Sequence, residues 1–99
     1  MIGTVYLIKL DSKLAHSQYY IGWCKGDPRR RLDMHRAGTG SKFLAAAMES
    51  GIEFHIVRTW RGVDRNFERK LKNRKNAKQL CPLSNPKLKR YKARVLITY

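Results

Sequence analysis

The sequence predicts a small α+β domain: a three-stranded antiparallel sheet flanked by helices, with elements in the order β-β-α-α-β-α. Three observations lead there. Two stretches rich in branched and aromatic residues, Thr4 to Leu10 and Gln18 to Trp23, lie either side of a polar connection and read as a hairpin. Asp27-Pro28 then opens a helical segment, with an N-cap acceptor followed by proline at the first helical position. Finally, 99 residues are enough for one core and too few for two.

Each element has its local reason. Thr4 to Leu10 alternates as a strand does, and Asp11-Ser12-Lys13 opens a longish polar loop that closes near Ser17. In the returning strand Tyr20 and Gly22 share a face, with Tyr19, Ile21 and Trp23 on the other. Gly22 carries no side chain, so another group can approach closely beside Tyr20. The first helix runs from Pro28 to about Arg36 and stops at Ala37-Gly38-Thr39-Gly40. Ser41 caps a second helix from Lys42 to Ser50, whose apolar stripe is Phe43, Leu44, Ala47 and Met48, and Gly51 ends it. Ile52 to Trp60 reads as the third strand, with Ile52, Phe54, Ile56 and Arg58 on one face. A third helix is expected from Gly62 to about Lys75, capped by Asp64, with Phe67 and Leu71 toward the core. A proline-punctuated loop, Cys81 to Pro86, precedes a basic tail ending in the strand-like Val95-Leu96-Ile97-Thr98-Tyr99. Residues 1–86 form the domain, and 87–99 are expected to belong to the same unit.

Charge narrows the function classes. The chain holds 22 Lys and Arg against 7 Asp and Glu, a formal net charge of +15. Such an excess marks a protein that binds nucleic acid or an anionic membrane. A membrane binder needs a basic amphipathic helix with a broad apolar face, and none is evident. No apolar run approaches the ~18 residues that span a bilayer. The N-terminal residues lack a basic segment followed by an apolar one, so they read as a strand and not as a signal peptide. Cys24 and Cys81 are far apart and form no zinc pattern; two thiols in a reducing compartment are the expected state. Nucleic acid is the expected partner and the membrane is not, which places the protein in the cytoplasm, or in the nucleus of a eukaryote. A basic RNA-associated structural protein would explain the charge equally well.

Phosphodiester hydrolysis needs an activated water, a cation for the charge that grows on phosphorus, and neutralisation of the leaving oxygen. Arg31 can bind phosphate oxygens bidentately, and His35 lies one turn further along the same helix face. Tyr6 and Tyr20 stand on adjacent strands as base or positioning groups, although a phenol with a pKa near 10 needs neighbouring cations to act as a base. Of the seven acids, Asp27 and Asp64 read as caps, Asp11 as a turn residue, and Asp33 faces away from Arg31. Glu68, flanked by Arg65, Arg69 and Lys70, is the candidate carboxylate for a divalent ion, since magnesium often takes one or two protein carboxylates and fills its shell with water and phosphate. Singly, each has a structural reading: packed tyrosines, a solvated arginine face, an exposed histidine, a Glu68–Lys72 pair at i,i+4. The order and spacing of the whole set favour chemistry.

That set resembles the GIY-YIG endonuclease superfamily over nearly the whole chain. Val5-Tyr6-Leu7 is similar to the first half-motif and Tyr20-Ile21-Gly22 to the second. Arg31 and His35 match an Arg-x-x-x-His helix, Asn66 to Leu71 the helix bearing the family's glutamate, and Asn85 an asparagine of a later motif. Thr4-Val5-Tyr6 departs from Gly-Ile-Tyr at its first position. The resemblance implies one Mg²⁺ or Mn²⁺ per active site held by Glu68, Tyr6 helping to deprotonate water, Arg31 on the scissile phosphate, and Tyr20 and His35 in support. The products implied are 5′-phosphate and 3′-hydroxyl ends. With no room for a separate recognition domain, the module is expected to cut DNA with low sequence specificity or by structure, whether duplex, branched or single-stranded, alone or with a protein partner or second copy. Arg29, Arg30, Lys42, Arg69, Lys72, Asn85, Lys87, Lys89 and Arg90 are the expected DNA-gripping residues. The alternative within the same family is a weak or inactive module that serves as a nucleic-acid-binding subunit.

Overall fold

A strand that is apolar on both faces belongs in the middle of a sheet covered on both sides. In the computed structural model, which describes residues 2–81 and 83, β1 (Gly3–Leu14) is that strand. It lies between β2 (Ser17–Cys24) and β3 (Phe54–Val63), antiparallel to both, in the order β2-β1-β3. Val5, Tyr6, Leu7 and Ile8 are all buried. Alternation sends Tyr6, Ile8 and Leu10 to one side, where they meet Leu32 of α1 (Pro28–Arg36) and Leu44 and Ala47 of α2 (Lys42–Glu49). Val5 and Leu7 go to the other side and pack with Ile21, Val57 and Leu71 of α3 (Arg65–Arg74), with the short α4 (Ala77–Leu80) beyond. The fold is therefore the expected α+β sandwich of a three-stranded antiparallel sheet between helices, with the added turn of α4. Asn85, Lys87, Lys89, Arg90 and the rest of the tail lie outside the described residues.

The three expected caps form as read. The Asp27 carboxylate accepts from the Arg29 N–H at 2.9 Å, Ser41 Oγ from the Leu44 N–H at 3.4 Å, and Asp64 from the Phe67 N–H at 3.1 Å. Helix α1 ends in a Schellman motif: Gly38, at φ 81°, donates to the His35 carbonyl and Thr39 to that of Met34.

Four details differ from the sequence reading. Asp11-Ser12-Lys13 is strand and not loop: Leu14 pairs with Ser17, so the hairpin closes through Ala15 and His16 alone, with a register shift between Lys9 and Leu14. Ala15 accepts φ 57° to make that turn, a conformation for which glycine is the usual residue. Strand β3 carries two bulges. The first skips Val57 between the pairs Ile8–Ile56 and Leu7–Arg58, which moves Arg58 off the face of Phe54 and Ile56 and stacks its guanidinium 4.5 Å from the Trp60 ring centroid. The second inserts Gly62, at φ 72°, between the pairs Thr4–Arg61 and Gly3–Val63, so Gly62 ends a strand and does not begin a helix. Met48 is exposed rather than part of the core stripe, because α2 reaches the sheet through Leu44 and Ala47.

Candidate active site

The central strand fixes Tyr6, and the register fixes what lies across from it. Tyr6 pairs with Gly22 of β2, and a Cβ at position 22 would collide with the Tyr6 ring and hydroxyl. The glycine of Tyr20-Ile21-Gly22 therefore makes room for the phenol of the neighbouring strand. Two residues earlier on the same face, Tyr20 sets its ring 6.3 Å from that of Tyr6, centroid to centroid.

Helix α1 supplies the other side. His35 is buried, and its Nε2 lies 2.9 Å from the Tyr6 hydroxyl. Its ring stands edge-on to Tyr20 at 5.3 Å and tilted to Tyr6 at 6.0 Å. The Schellman turn swings the chain so that Gly40 lies against the imidazole, where a Cβ would overlap Nδ1 and Cε1. Arg31, one turn before His35, brings its guanidinium beside the Tyr6 phenol. Its Nη1 approaches Met34 Sδ at 3.7 Å, a weak contact. Arg31 Nε and His35 Nδ1 are both buried with no hydrogen-bond partner among the described residues.

Electrostatics set the proton states. Burial pushes the Tyr6 hydroxyl up to about 12, against the downward pull of Arg31. Burial, reinforced by the Arg31 charge, pulls His35 down to about 4. The resting site at neutral pH thus holds a neutral phenol, a neutral imidazole and one positive charge on Arg31. Near it the Cys24 thiol is also pushed up by burial, so it rests as a thiol, donating to the Gly26 carbonyl at 3.3 Å.

Tyr6, Tyr20, Arg31 and His35 therefore converge from three elements. Among the described residues, no hydrogen bond or ion pair joins Glu68 to them. Glu68 lies in the first turn of α3, its side chain is 19 % exposed, and its ion pair is with Lys72 at 3.4 Å. The link back to the cluster is Lys72 itself, whose Nζ lies 5.9 Å from the Tyr20 ring centroid. Of the expected DNA-gripping residues, Arg30, Lys42 and Arg69 are exposed. Arg29 is exposed too, but it pairs with Asp27 at 2.8 Å, which lowers the Asp27 pKa and turns part of the arginine toward its own cap.

A second candidate for a metal was not legible from spacing. Asp11, Glu53 and His55 bring one ligand atom each to within 4.8 Å of one another, an arrangement capable of coordinating a divalent ion. It arises because Asp11 is strand: its N–H donates to the Glu53 carbonyl at 2.9 Å, and Glu53 and His55 flank Phe54 on one face. All three are exposed. Arg36 reaches His55 Nδ1 at 3.4 Å and Asp11 approaches Nε2 at 3.8 Å, so both ring nitrogens already have partners. Asp11 is also five residues along β1 from Tyr6, about 17 Å at strand rise. An ion there and the phenol of Tyr6 would not share one phosphodiester.

Gly40 is the other residue that the sequence reading passed over; its signal was the glycine pair at the stop of α1. Comparison with protein-family models, with curated proteins and with solved structures finds no match, so the site is read from its own geometry. Among the described residues, no helix is long and apolar enough to cross a membrane.

Proposed function

We propose that this chain is a divalent-metal-dependent endonuclease of the GIY-YIG type, hydrolysing DNA phosphodiesters with low sequence specificity or by DNA structure. One observation carries the reading: Arg31 Nε and His35 Nδ1 find no partner among the described residues inside a cluster of two phenols, a cation and a histidine. Leaving a buried donor unpaired costs about 1–3 kcal/mol, a cost that a phosphate oxygen at Arg31 would offset.

In this reading Arg31 receives a non-bridging phosphate oxygen and stabilises the charge that grows there. Burial is the larger cause of the low His35 value and the Arg31 charge the second; phosphate at Arg31 would offset only the second, making the imidazole a somewhat better proton acceptor once substrate is present. Tyr6 need not ionise beforehand. As its oxygen takes a proton from the attacking water, its own proton passes to His35 Nε2 along the 2.9 Å contact. Tyr20, edge-on to His35, keeps the imidazole in line. Glu68 fits a hard cation: its carboxylate already faces a positive group at 3.4 Å, and Lys72 can exchange that role with an ion whose remaining ligands are water and phosphate. A bound Mg²⁺ or Mn²⁺ would supply charge neutralisation at the leaving oxygen.

A second reading has its own observation. The Glu68 carboxylate is paired with Lys72 of its own helix, which suits a weak or inactive module that binds nucleic acid as a subunit. Cleavage of fluorescent single-stranded, duplex, flap and four-way-junction DNA in magnesium, manganese or chelator separates the two. Metal-dependent cutting that Glu68→Ala abolishes supports the nuclease. Salt-dependent binding with every substrate intact leaves the subunit reading.

A further inference from the structure

We infer that the groove bounded by the hairpin end, α3 and α4 holds a single-stranded segment of DNA and leads it to Tyr20; the inference deepens the nucleic-acid reading above and rests on it. The groove has a volume of about 640 Å³ and wraps the edge of β2 that no described strand pairs with. Its charged lining is of one sign. Lys13 comes from the end of β1, Lys72 and Lys75 from α3 and its cap, and Lys78 from α4, with His16 at the turn. No carboxylate lines it among the described residues. The same lining includes the half-buried rings of Tyr19, Tyr20 and Phe43.

Cations together with aromatic rings are what a single strand requires: lysines track its phosphates, and unstacked bases lie on rings. A duplex offers phosphates but no free base faces, since its bases already stack on one another. The groove also reaches the chemistry. Tyr20 belongs both to the groove and to the ring cluster with His35, and Lys72 stands 5.9 Å from that ring. A strand lying along the lysines would therefore pass the candidate catalytic side chains at one end. The extension of β1 to Leu14 creates this surface, because it carries Lys13 and the two-residue turn out beyond the helices.

The test is anisotropy of a labelled short oligothymidylate, in chelator and over a salt series. Wild type should bind it more tightly than a duplex of equal length, and roughly tenfold more tightly than an abasic oligomer. Lys75→Gln/Lys78→Gln should weaken binding and flatten the slope of log K against log salt by about 1.4, at about 0.7 per lost phosphate contact. Lys25→Gln/Arg61→Gln, an equal charge loss at exposed positions outside the groove, should leave the slope near that of wild type. Equal losses in the two double variants would overturn the inference, as would a duplex bound as tightly as the single strand. Anionic phosphatidylglycerol vesicles captured through the same lysines, with the oligomer unaffected by their loss, would also overturn it. Binding is read in chelator, so a wild type that binds as expected and never cuts supports the groove and counts against the nuclease alone.

Discussion

Acid should unfold this protein through His35. The imidazole is buried against the Tyr6 phenol of β1, the Tyr20 ring of β2 and the Gly40 backbone, and the charged group facing it is Arg31 of its own helix. Its pKa falls from 6.5 to about 4 on folding, with burial the larger cause and Arg31 the second. Above pH 6.5 both folded and unfolded chains hold it neutral, and it contributes no pH dependence. Between 6.5 and about 4 the unfolded chain takes up a proton that the folded one refuses, so stability falls as pH falls. At about 1.36 kcal/mol per unit, the full drop comes to about 3 kcal/mol, a large part of what a domain of this size has. The assay is urea unfolding of wild type and His35→Gln at half-unit steps from pH 7.5 to 4. The glutamine can still accept from the Tyr6 hydroxyl but does not titrate, and the exposed His16 and His55 cancel in the difference. The stability difference between the two proteins should be flat above pH 7 and then close or reverse by about 1.4 kcal/mol per unit. Curves that stay parallel down to pH 4 would refute both the burial argument and the neutral imidazole in the proton path.

Gly22→Ala should lower stability by about 1–3 kcal/mol through collision with the Tyr6 ring and should depress cleavage more than binding, as read by thermal melting and single-turnover assay. Tyr6→Phe keeps the packing but removes the hydroxyl at His35; cleavage should drop by roughly 10²–10⁴ with binding of DNA in chelator unchanged. Ala15→Gly relieves the positive φ at the hairpin turn and should raise stability by about 0.5 kcal/mol, the left-handed penalty less the added chain entropy, measured by urea unfolding.

Much of this architecture follows from local signals. Asp27-Pro28, Ser41 and Asp64 start their helices because a side-chain acceptor at those places satisfies a backbone N–H that nothing else can reach. The open space at Gly22 beside Tyr20 follows from alternation and the missing side chain, but that Tyr6 fills it needed the register. What escaped was set by long-range pairing. Asp11 to Lys13 are polar and read as loop, yet β1 continues through them to pair Leu14 with Ser17, and Asp11 bonds to Glu53 beside β3, which together build the groove and the Asp11–Glu53–His55 cluster. The bulges at Val57 and Gly62 change which face a side chain takes, and alternation alone cannot register an extra residue. That Arg31 Nε and His35 Nδ1 lack partners among the described residues is likewise a property of the packed site and not of any motif.

Arg31, held beside Tyr6 with a buried Nε–H that no described residue accepts, is proposed to bind the phosphate that is cleaved. This role is tested most directly by single-turnover cleavage, in magnesium, of the DNA substrate that wild type cuts best, with Arg31→Ala beside it and the folded state of each checked by thermal melting. A loss of at least roughly 10²–10³ in rate is expected for the variant at unchanged fold. A variant that cuts within tenfold of wild type, or a folded wild type that cuts nothing in the presence of metal, would contradict it.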